Sequence, residues 1–496
     1  MLVIGQGGTG NSVLINAITE TFAFHGRQQA LAKCATSGIA ATPIGGTMVH
    51  FWAGLGITRA KKADWLTNAS PKLTARRKRN ILGKICLIID EMSMLYDALL
   101  NDIAQVVAHI KKTENKGYPH LPFAGMHIIL MGDFHQFPPV ANATSALYSL
   151  SPIWTPEAAQ GRALYKRFDT VAQLQIQIHV RDAVWTELLG RLRVGECNDG
   201  DLHKIRRLII GHPDCLPTNF QVSPWCDAIL VTTRHSVREA WNAASLNLHC
   251  RKSGQIKYIA PSEDYVKECP PRSLSPIVKL VVAGQGEKLM GKLADRVKLA
   301  IGMKVMVLLN LSTKGDIANG TRGTIQDIVL DHREISIEVN DDGIVKLTYP
   351  PAMIFFKPDT PSSISSAFQD TRVKKRLRTL DGNVPLTPST STFKIKTPDG
   401  QESTIVRRQF ALTGSYAFTD IKSQGQTIEV VLVDLRNPLS GKLSPFSAYV
   451  ALSRSRGRDT IRLLSDFDED LFCTHPNPDL AVEINRLNFL VTSCRA

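Results

Sequence analysis

The chain lacks several features that mark other classes of protein. It has no run of about 18 apolar residues, so no segment would cross a membrane as a helix. Its first residues, M-L-V-I-G, resemble neither a secretion signal nor an arginine-rich transit peptide. None of its nine cysteines forms a C-x-x-C pair. This pattern disfavours a zinc site and predicts reduced thiols in an intracellular compartment.

Negative charge is also scarce. The 45 acidic residues face 59 lysines and arginines, which leaves a formal net charge of +14. This excess predicts a polyanionic partner, and part of it is clustered at 76–79 (R-R-K-R) and 372–378 (R-V-K-K-R-L-R). The alternative is a solvated basic surface. With 496 residues, of which 43% are hydrophobic, the chain predicts roughly three globular domains.

One further absence concerns a single position. Residues 5–12, G-Q-G-G-T-G-N-S, follow the phosphate-loop pattern G-x-x-x-x-G-K-[ST], but Asn11 stands where the pattern has lysine. Gly5, Gly10 and Ser12 match, and the glycines let backbone N–H groups turn inward around an anion. The lysine would add a positive charge against the outer phosphates. A structural turn is the alternative interpretation.

An apolar run ends in two carboxylates at 85–91, I-C-L-I-I-D-E. A run of this kind is typical of a strand buried on both faces in a parallel sheet. Asp90 would hold Mg²⁺, and Glu91 would orient and deprotonate the attacking water. The alternative is a core strand that enters a helix whose first turn favours acids.

A third element, M-H-I-I-L-M-G-D-F-H-Q-F-P-P-V at 126–140, predicts another buried strand followed by a polar turn. Gln136 would reach a terminal phosphate or its water. The alternative is a strand-exit loop that Pro138 and Pro139 stiffen.

Strands and helices alternate in the first part of the chain, which predicts a parallel α/β sheet. A second alternating series begins near 170. Between 275 and 357 the period changes to two, which predicts a small antiparallel barrel or meander from the runs P-I-V-K-L-V-V, K-V-M-V-L-L, G-T-I-Q-D-I-V-L, E-I-S-I-E-V and I-V-K-L-T-Y. Residues 358–404 are rich in Ser, Thr, Pro and charge and predict a flexible loop, after which the α/β pattern returns.

Two groups of residues near the C-terminus could contact phosphates. Ser423, Gln424 and Thr427 offer short polar contacts to a phosphate backbone, and Gly425 permits close approach. Arg454 follows a predicted helix and would reach the γ-phosphate across a cleft, although a surface salt bridge is the usual role of an arginine.

Together these motifs resemble the PIF family (petite integration frequency) of superfamily 1 DNA helicases, including its fungal and transposon-associated branches. The motifs that carry the resemblance are G-Q-G-G-T-G-N-S, C-A-T-S-G-I-A-A-T-P-I-G-G-T-M-V-H-F, I-I-D-E-M-S-M, G-D-F-H-Q-F-P-P-V, D-I-K-S-Q-G-Q-T and Y-V-A-L-S-R. They occur in the family's order and cover essentially the whole chain.

The resemblance implies an α/β fold of two RecA-like P-loop NTPase lobes with a small β-barrel inserted in the second. Lobe 1 would be 1–170, with a basic excursion at 52–80. Lobe 2 would be 171–274 and 405–496, the barrel 275–357 and the flexible loop 358–404. The implied activity is ATP-dependent translocation on single-stranded DNA with 5′-to-3′ polarity and unwinding of duplex DNA, in repair and recombination. The nucleus is the expected compartment and the mitochondrion the alternative.

The resemblance also assigns the site residues, with ATP and Mg²⁺ as cofactors and single-stranded and duplex DNA as partners. The catalytic residues would be Asp90, Glu91, Gln136 and Arg454, and the Mg²⁺ ligands Ser12 and Asp90. The nucleotide would contact Gly5, Gly7, Gly8, Thr9, Gly10, Asn11, Ser12 and Gly425. The DNA would contact Thr36, Ser37, His50, Phe51, Lys422, Ser423, Gln424 and Thr427. Phe51 and Trp52 would stack on bases, with core packing as the alternative.

Three departures from the family pattern surround the nucleotide. Asn11 replaces the lysine. The family's arginine in Q-I-H-V-R-D falls on His179, which is mostly neutral at pH 7, and Arg181 lies two residues further on. The chain starts four residues before Gly5, so we expect no upstream adenine-contacting segment, unless the true N-terminus is longer.

The favoured hypothesis is therefore a helicase whose ATP turnover Asn11 impairs. The alternative is a catalytically inactive, helicase-like DNA-binding protein.

Overall fold

The fold is known from a computed structural model that describes residues 1–56, 65–118, 120–140, 143–153, 155–268, 272–284, 293–311, 317–359, 383–396, 400–426, 428–439 and 441–493. By their internal contacts these residues form two compact units. Unit 1 comprises 1–238 and 418–496, and unit 2 comprises 239–417.

The first sheet of unit 1 has six strands in the order β3-β2-β4-β5-β1-β6, and all of its strand pairings are parallel. This confirms the predicted parallel sheet. Its strands are β1 Leu2–Gly5, β2 Leu31–Ala35, β3 Thr47–Met48, β4 Cys86–Asp90, β5 His127–Gly132 and β6 Val171–Leu174.

Helices cover both faces of this sheet because its strands bury alternate side chains in two different cores. Leu87 and Ile89 of β4 join the core that contains helix α5, whereas Ile88 joins the core that contains Ile15 of helix α1. All five residues of β4 are buried, as its unbroken apolar run predicts. The helices of this part are α1 Asn11–Phe24, α2 Gly38–Ala41, α3 Val49–Ala53, α4 Pro71–Ile81, α5 Asp97–Thr113 and α6 Pro156–Lys166.

A second sheet in unit 1 has the order β20-β7-β21-β22, and β21 pairs in parallel with both of its neighbours. Its strands are β7 Ile229–Thr232, β20 Ala417–Phe418, β21 Val431–Asp434 and β22 Ile461–Leu463. The accompanying helices are α7 Ala183–Val194, α8 Asp199–Arg206, α11 Asp420–Ser423, α12 Pro445–Leu452, α13 Asp470–Cys473 and α14 Pro478–Ser493. Helix α9, His235–Ser253, begins in unit 1 and continues into unit 2, and α10, Pro276–Ala283, belongs to unit 2.

Unit 2 contains three open sheets, in the orders β16-β15-β13-β12-β19, β11-β8-β14 and β10-β9-β18-β17. Its one helix in the described residues, apart from part of α9, is α10 Pro276–Ala283. Its strands are β8 Lys257–Pro261, β9 Glu263–Val266, β10 Arg272–Ser273, β11 Arg296–Leu299, β12 Lys304–Val307, β13 Arg322–Val329, β14 Ile344–Lys346, β15 Met353–Pro358, β16 Val384–Leu386, β17 Ser389–Lys396, β18 Glu402–Gln409 and β19 Leu412–Gly414.

The boundaries predicted from the sequence differ from this arrangement. Strand β6 was assigned to the second lobe, but it pairs with β1, Leu2 opposite Val171, so the first sheet extends to Leu174. The stretches 239–274 and 405–417, also assigned to the second lobe, belong by their contacts to unit 2.

Two local predictions in unit 2 were wrong. The run at 276–282 forms helix α10, because Ser275 caps it by accepting the Val278 N–H and Pro276 occupies its first turn. The run E-I-S-I-E-V at 334–339 forms no strand, and Glu334 instead accepts backbone N–H groups from Thr348 and Tyr349.

The outcome for 275–404 is mixed. Strands β12, β13 and β14 occur where the sequence predicts them. The strand orders describe open sheets, so the closed barrel is not confirmed. The predicted loop at 358–404 contains β16, β17 and the start of β18, while 360–382, which includes the basic run 372–378, lies outside the described residues. The excursion at 52–80 contains helix α4 where an irregular segment was expected.

Candidate functional site

The phosphate loop lies between strand β1 and helix α1, as the motif predicts. Gly8 and Gly10 have φ values of +91° and +95°, a backbone region that favours glycine, and Gly10 is the residue that precedes helix α1. A Cβ on Gly8 would lie 2.5 Å from the Gln177 side-chain oxygen. Gly5 is equally confined, because its Cβ would lie 2.4 Å from Thr9 Oγ1. The loop therefore keeps the compact form that backbone amides need to surround an anion.

Asn11 is the first residue of α1, and its Oδ1 is buried without a hydrogen-bond partner among the described residues. A buried polar atom is normally paired in a folded protein. The neighbouring Ser12 is exposed, so its hydroxyl is open to a ligand. Both features fit a nucleotide with its metal ion.

The two carboxylates follow strand β4. Asp90 Oδ1 accepts the Glu91 N–H at 2.9 Å, and Glu91 has φ +56° and ψ +51°, an unusual backbone conformation for glutamate. Burial and then the charge of Glu91 raise the pKa of Asp90 to about 7. Burial also raises the pKa of Glu91, while Gln424 and Arg454 oppose the rise. Two buried carboxylates at adjacent positions repel each other when both are ionised, and a bound cation would stabilise the ionised pair.

Gln136 lies in the turn after strand β5, where its N–H donates to the Asp133 carbonyl at 3.0 Å. Its side chain is buried, and Oε1 has no partner in the described residues. This amide oxygen is thus available to accept a hydrogen bond, for example from a water.

These residues line one cleft of about 330 Å³ in unit 1. The cleft brings together the predicted nucleotide and catalytic residues from three strand ends and from the C-terminal part of the chain. Its lining is Gly7, Gly8, Gly10, Asn11, Ser12, Val13, Ala40, Pro43, Asp90, Glu91, Gln136, Ile178, His179, Arg181, Gly425, Gln426, Ser453, Arg454 and Arg456.

Gly5 and Thr9, predicted to contact nucleotide, line a separate cavity instead. Thr9 Oγ1 donates to the Gln6 carbonyl at 2.8 Å, so this side chain holds the loop in shape.

The donor set also fits Mg²⁺. No group of three His, Cys, Asp or Glu side chains gathers as a metal site within the described part of the chain. Mg²⁺ is usually held by one or two carboxylates together with substrate phosphates and water, and needs no such group. Ser12 and Asp90, both in the cleft, remain its predicted ligands.

Arg454 reaches the cleft but is largely held by protein. Its Nε donates to the Val450 carbonyl at 3.0 Å, Nη1 to the Gln426 carbonyl at 3.3 Å, and Nη2 to Ser453 Oγ at 2.9 Å. The side chain is buried, which lowers the pKa of its guanidinium, and the charge of Glu91 opposes that shift.

His179 lies against the phosphate loop. Its backbone N–H donates to the Gly8 carbonyl at 3.1 Å, and its Nε2 lies 3.2 Å from the Arg454 carbonyl, to which the Nε2–H tautomer donates. Burial lowers the pKa of this imidazole, and the charges of Arg454 and Arg456 lower it further. A neutral ring at pH 7 follows, in line with the sequence expectation.

The residues predicted to contact DNA in the first half of the chain have varied surroundings. Thr36 Oγ1 donates to the Glu91 carbonyl at 3.0 Å, and Ser37 Oγ accepts the Ala40 N–H at the start of α2. The Nδ1 of His50 is buried without a described partner, and the Arg76 guanidinium stacks over the Phe51 ring at 4.7 Å.

Trp52 beside Phe51 is buried in the core, with 5% of its surface exposed, so it does not offer a face to a base. Core packing, the alternative interpretation, holds for this residue.

The C-terminal group of predicted DNA contacts lies beside the acidic pair. Gln424 Nε2 donates to Glu91 Oε2 at 2.8 Å, and Ser423 Oγ donates to the Asp420 carbonyl at 2.6 Å. A Cβ on Gly425 would lie 3.3 Å from Glu91 Oε1. Lys422 is half-buried, and Thr427 lies outside the described residues. The side chains of Ser423 and Gln424 therefore contact protein, and Gln424 contacts the predicted general base.

Sequence reasoning missed a buried network next to the phosphate loop. Asp133 accepts hydrogen bonds from Arg193 Nη2 at 2.6 Å and from Tyr449 OH at 3.0 Å, and the Gly7 N–H points at the same hydroxyl at 3.4 Å. Burial raises the pKa of the Asp133 carboxyl, but Arg193 and His135 outweigh it and the net pKa falls below its usual range. One signal of this network was present in the sequence: Asp133 and Tyr449 are polar residues inside the motifs G-D-F-H-Q and Y-V-A-L-S-R, which are otherwise rich in apolar residues.

Comparisons with known proteins show what the chain is similar to. Residues 1–171 match the family model described as PIF1-like helicase. The chain is 24% identical to the ATP-dependent DNA helicase PIF1 of Candida albicans over 95% of this chain and 53% of that protein. It is 25% identical to the human helicase PIF1 over 94% of this chain and 58% of that protein. The chain thus spans somewhat more than half the length of these curated relatives.

Solved structures show the same fold. The crystal structure of Pif1 helicase from Candida albicans superposes with a TM-score of 0.63 at 21% identity, covering 98% of this chain and 95% of that one. Bacteroides Pif1 bound to single-stranded DNA also gives 0.63, at 19% identity, covering 98% and 92%. No helix in the described residues is long and apolar enough to span a membrane. The chain thus has the fold of these helicase structures, and its first 171 residues are similar to the PIF1-like helicases.

Proposed function

We propose that this chain is an ATP-driven motor that moves along single-stranded DNA and unwinds duplex DNA. One observation carries the proposal: Asp90, Glu91, Gln136 and Arg454, from three separate segments, line the same cleft as the phosphate loop. A metabolite-phosphorylating enzyme on the same loop is disfavoured, because the segments 417–428 and 447–456 would have no role in it.

The chain's own residues would divide the work as follows. The amides of Gly8 and Gly10 and the hydroxyl of Ser12 bind phosphate, and Asp90 with Ser12 would hold Mg²⁺, which supplies charge neutralisation when bound. Glu91 takes the proton of the attacking water. Gln136 senses the terminal phosphate, and Arg454 places positive charge beside it.

DNA binding would rest mainly on contacts to the phosphate backbone, given the net charge of +14. Phe51, one of the residues predicted to contact DNA, would stack on a base, an interaction worth about 1–3 kcal/mol by alanine substitution. The nucleus stays the expected compartment and the mitochondrion the alternative, with roles in repair and recombination.

The Gln424–Glu91 hydrogen bond would let bound DNA influence the general base of ATP hydrolysis. Ser423, Gln424 and Gly425 belong to the segment proposed to contact DNA, and the amide of Gln424 holds one oxygen of the general base. A shift of this segment on the strand would change the orientation and the pKa of Glu91. ATP hydrolysis should therefore be DNA-stimulated.

Two features lower the expected turnover. Asn11 is neutral and too short to replace a lysine, and the loss of one preorganised donor at a charged transition state costs about 2.7–4 kcal/mol. His179 supplies no charge at pH 7 where the family has arginine, since burial lowers its pKa. These two residues also favour the second candidate function, a helicase-like protein that binds DNA, and nucleotide with it, without turnover.

A DNA-stimulated ATPase assay separates the two candidates. We expect weak, DNA-dependent turnover by the natural chain and a gain of at least about 100-fold in Asn11→Lys, from the cost given above. Glu91→Gln should abolish turnover in either background while single-stranded DNA binding, followed by anisotropy at increasing salt, stays within about twofold.

The outcomes are distinct. Turnover absent from both the natural chain and Asn11→Lys would rule out the motor and leave the inactive DNA-binding protein. Full turnover by the natural chain, unchanged by Asn11→Lys, would show that position 11 needs no charge. Loss of DNA binding in all forms would remove both candidates.

A further inference from the structure

The cations of the phosphate cleft are few. No lysine lines it in the described part of the chain, and the basic side chains that do are His179, Arg181, Arg454 and Arg456. His179 is neutral at pH 7, and Arg454 directs three of its five N–H groups to Val450, Gln426 and Ser453. A triphosphate carries several negative charges, so it needs more cationic side chains than His179 and Arg454 provide.

Arg181 and Arg456 differ from these two. Both side chains are exposed, and neither guanidinium forms a hydrogen bond or ion pair with any described residue. Each therefore brings a full positive charge and five free N–H donors to the rim of the cleft. Such a fork suits the bidentate recognition of a phosphate.

The backbone around the two arginines is fixed even though their side chains are free. The Arg181 N–H donates to the Arg456 carbonyl at 2.9 Å, so two segments far apart in sequence run side by side. Next to them, the Arg458 guanidinium donates to both oxygens of Asp182, at 2.6 and 3.1 Å. The side chain of Arg458 thus links the two segments by an ion pair. The guanidinium groups of Arg181 and Arg456 have no such partner among the described residues.

The segment that bears Arg181 is also tied to the phosphate loop. Gln177 Nε2 donates to the Gly7 carbonyl at 2.9 Å, and the N–H groups of Ile178 and His179 donate to the Gly8 carbonyl at 3.1 Å. Arg181 follows two residues later. Arg456 lines the same cleft as Gly8 and Gly10 of this loop.

From this geometry we propose that Arg181 and Arg456 form a pair of cations that bind the terminal phosphate of ATP and supply the charge that Asn11 and His179 do not. The inference rests on the proposed function, because it assumes that the cleft takes a nucleoside triphosphate. The proposal assigns contact with the terminal phosphate to the side chains of Arg181 and Arg456. The sequence motifs instead indicated positions 11, 179 and 454.

The test measures affinity for two nucleotides in the presence of Mg²⁺, with the full chain. Fluorescent N-methylanthraniloyl derivatives of ADP and of the non-hydrolysable triphosphate AMPPNP serve as probes. The variants are Arg181→Ala, Arg456→Ala and the double variant. Arg167→Ala is the matched control, because it removes an exposed arginine at the end of α6 that does not line the cleft.

We expect each single variant to lose about 10- to 100-fold in affinity for the triphosphate, as for a hydrogen bond to a charged group, with a change of less than threefold for ADP. Lysine at either position should restore part of the loss. In the Asn11→Lys background the same alanine variants should lose less, because the added lysine supplies charge to the same phosphate. Arg167→Ala should match the natural chain, and unchanged DNA binding should show that all variants are folded.

Equal losses for ADP and AMPPNP would overturn the inference, since the arginines would then contact another part of the nucleotide. The absence of any loss in the double variant would overturn it as well. If the natural chain bound neither nucleotide while still binding DNA, the proposed ATP-driven function would fall together with the inference, and that result differs from either of the other two.

Discussion

The two walls of the cleft differ in how complete they are without a ligand. The acidic wall, formed by Asp90, Glu91 and Gln136, is buried, and Gln424 already holds Glu91 in place. The phosphate wall, formed by 7–12 and His179, has its glycine backbone in shape but offers no charged side chain of its own. The residues proposed to carry out hydrolysis are thus already in position without a ligand. The binding of the negatively charged phosphates depends on arginines from outside the loop.

This contrast teaches that parts of one site can change independently. Loop shape depends on glycine backbone angles, which Asn11 does not disturb, since α1 still begins at that residue. Charge depends on side chains, which other segments can supply through space. A degenerate motif therefore says more about the strength of phosphate binding than about whether the site exists.

The largest expected effect concerns Asp133, whose buried carboxylate belongs to the hydrogen-bonded network next to the phosphate wall. Asp133→Ala should lower the free energy of unfolding by about 3–5 kcal/mol, because it leaves the buried guanidinium of Arg193 without its partner. Chemical denaturation measures the loss. Glu402→Ala, which breaks an exposed pair with Lys394, is the control and should leave the free energy of unfolding almost unchanged.

The same carboxylate predicts a pH dependence. Its pKa in the folded protein lies below its usual value, so its stabilising effect is present above about pH 4 and is lost as the pH falls towards the folded pKa. Unfolding curves of Asp133→Asn should depend less on pH below 4 than those of the natural chain. An equal dependence would assign the acid sensitivity to other carboxylates.

The next effect tests the shape of the phosphate wall. Gly8→Ala should impose about 1–2 kcal/mol of backbone strain and about 1–3 kcal/mol from overlap with Gln177 and His179. Nucleotide affinity, measured by titration, should fall accordingly. Gly83→Ala is matched in backbone, with φ +78°, but its Cβ meets nothing within 4 Å, so nucleotide affinity should not change. Equal affinities of the two variants would mean that the loop shape is not limiting.

The smallest effect tests the acidic wall. Gln424→Ala should slow DNA-stimulated ATP turnover by about 10- to 100-fold, because a hydrogen bond to a carboxylate is worth about 1.5–3 kcal/mol. Ser93→Ala removes only a 3.5 Å contact to the same amide and should have little effect. A loss confined to DNA affinity, with unchanged maximal turnover, would place Gln424 on the DNA path and not in control of Glu91.

Much of the site followed from the sequence because its parts are local. A glycine-rich turn between a strand and a helix, and an apolar run that ends in two acids, have their meaning within about ten residues, and β1, α1 and β4 lie where those patterns predict. Helix α10 was missed for an equally local reason, since the apolar run at 276–282 was interpreted as a strand although Ser275 and Pro276 form a helix start signal.

The tertiary structure decided what depends on distant segments. Strand β6 joined the first sheet through pairing with β1, a choice that no local pattern encodes. The Asp133–Arg193–Tyr449 network and the proximity of Arg181 to Arg456 bring together residues separated by 60 to 316 positions and by 275, respectively. Sequence by itself determined which chemical groups the chain carries and how each short segment folds. Only packing in three dimensions determined which of those groups share a cleft, because electrostatic and hydrogen-bond partners are selected by distance in space.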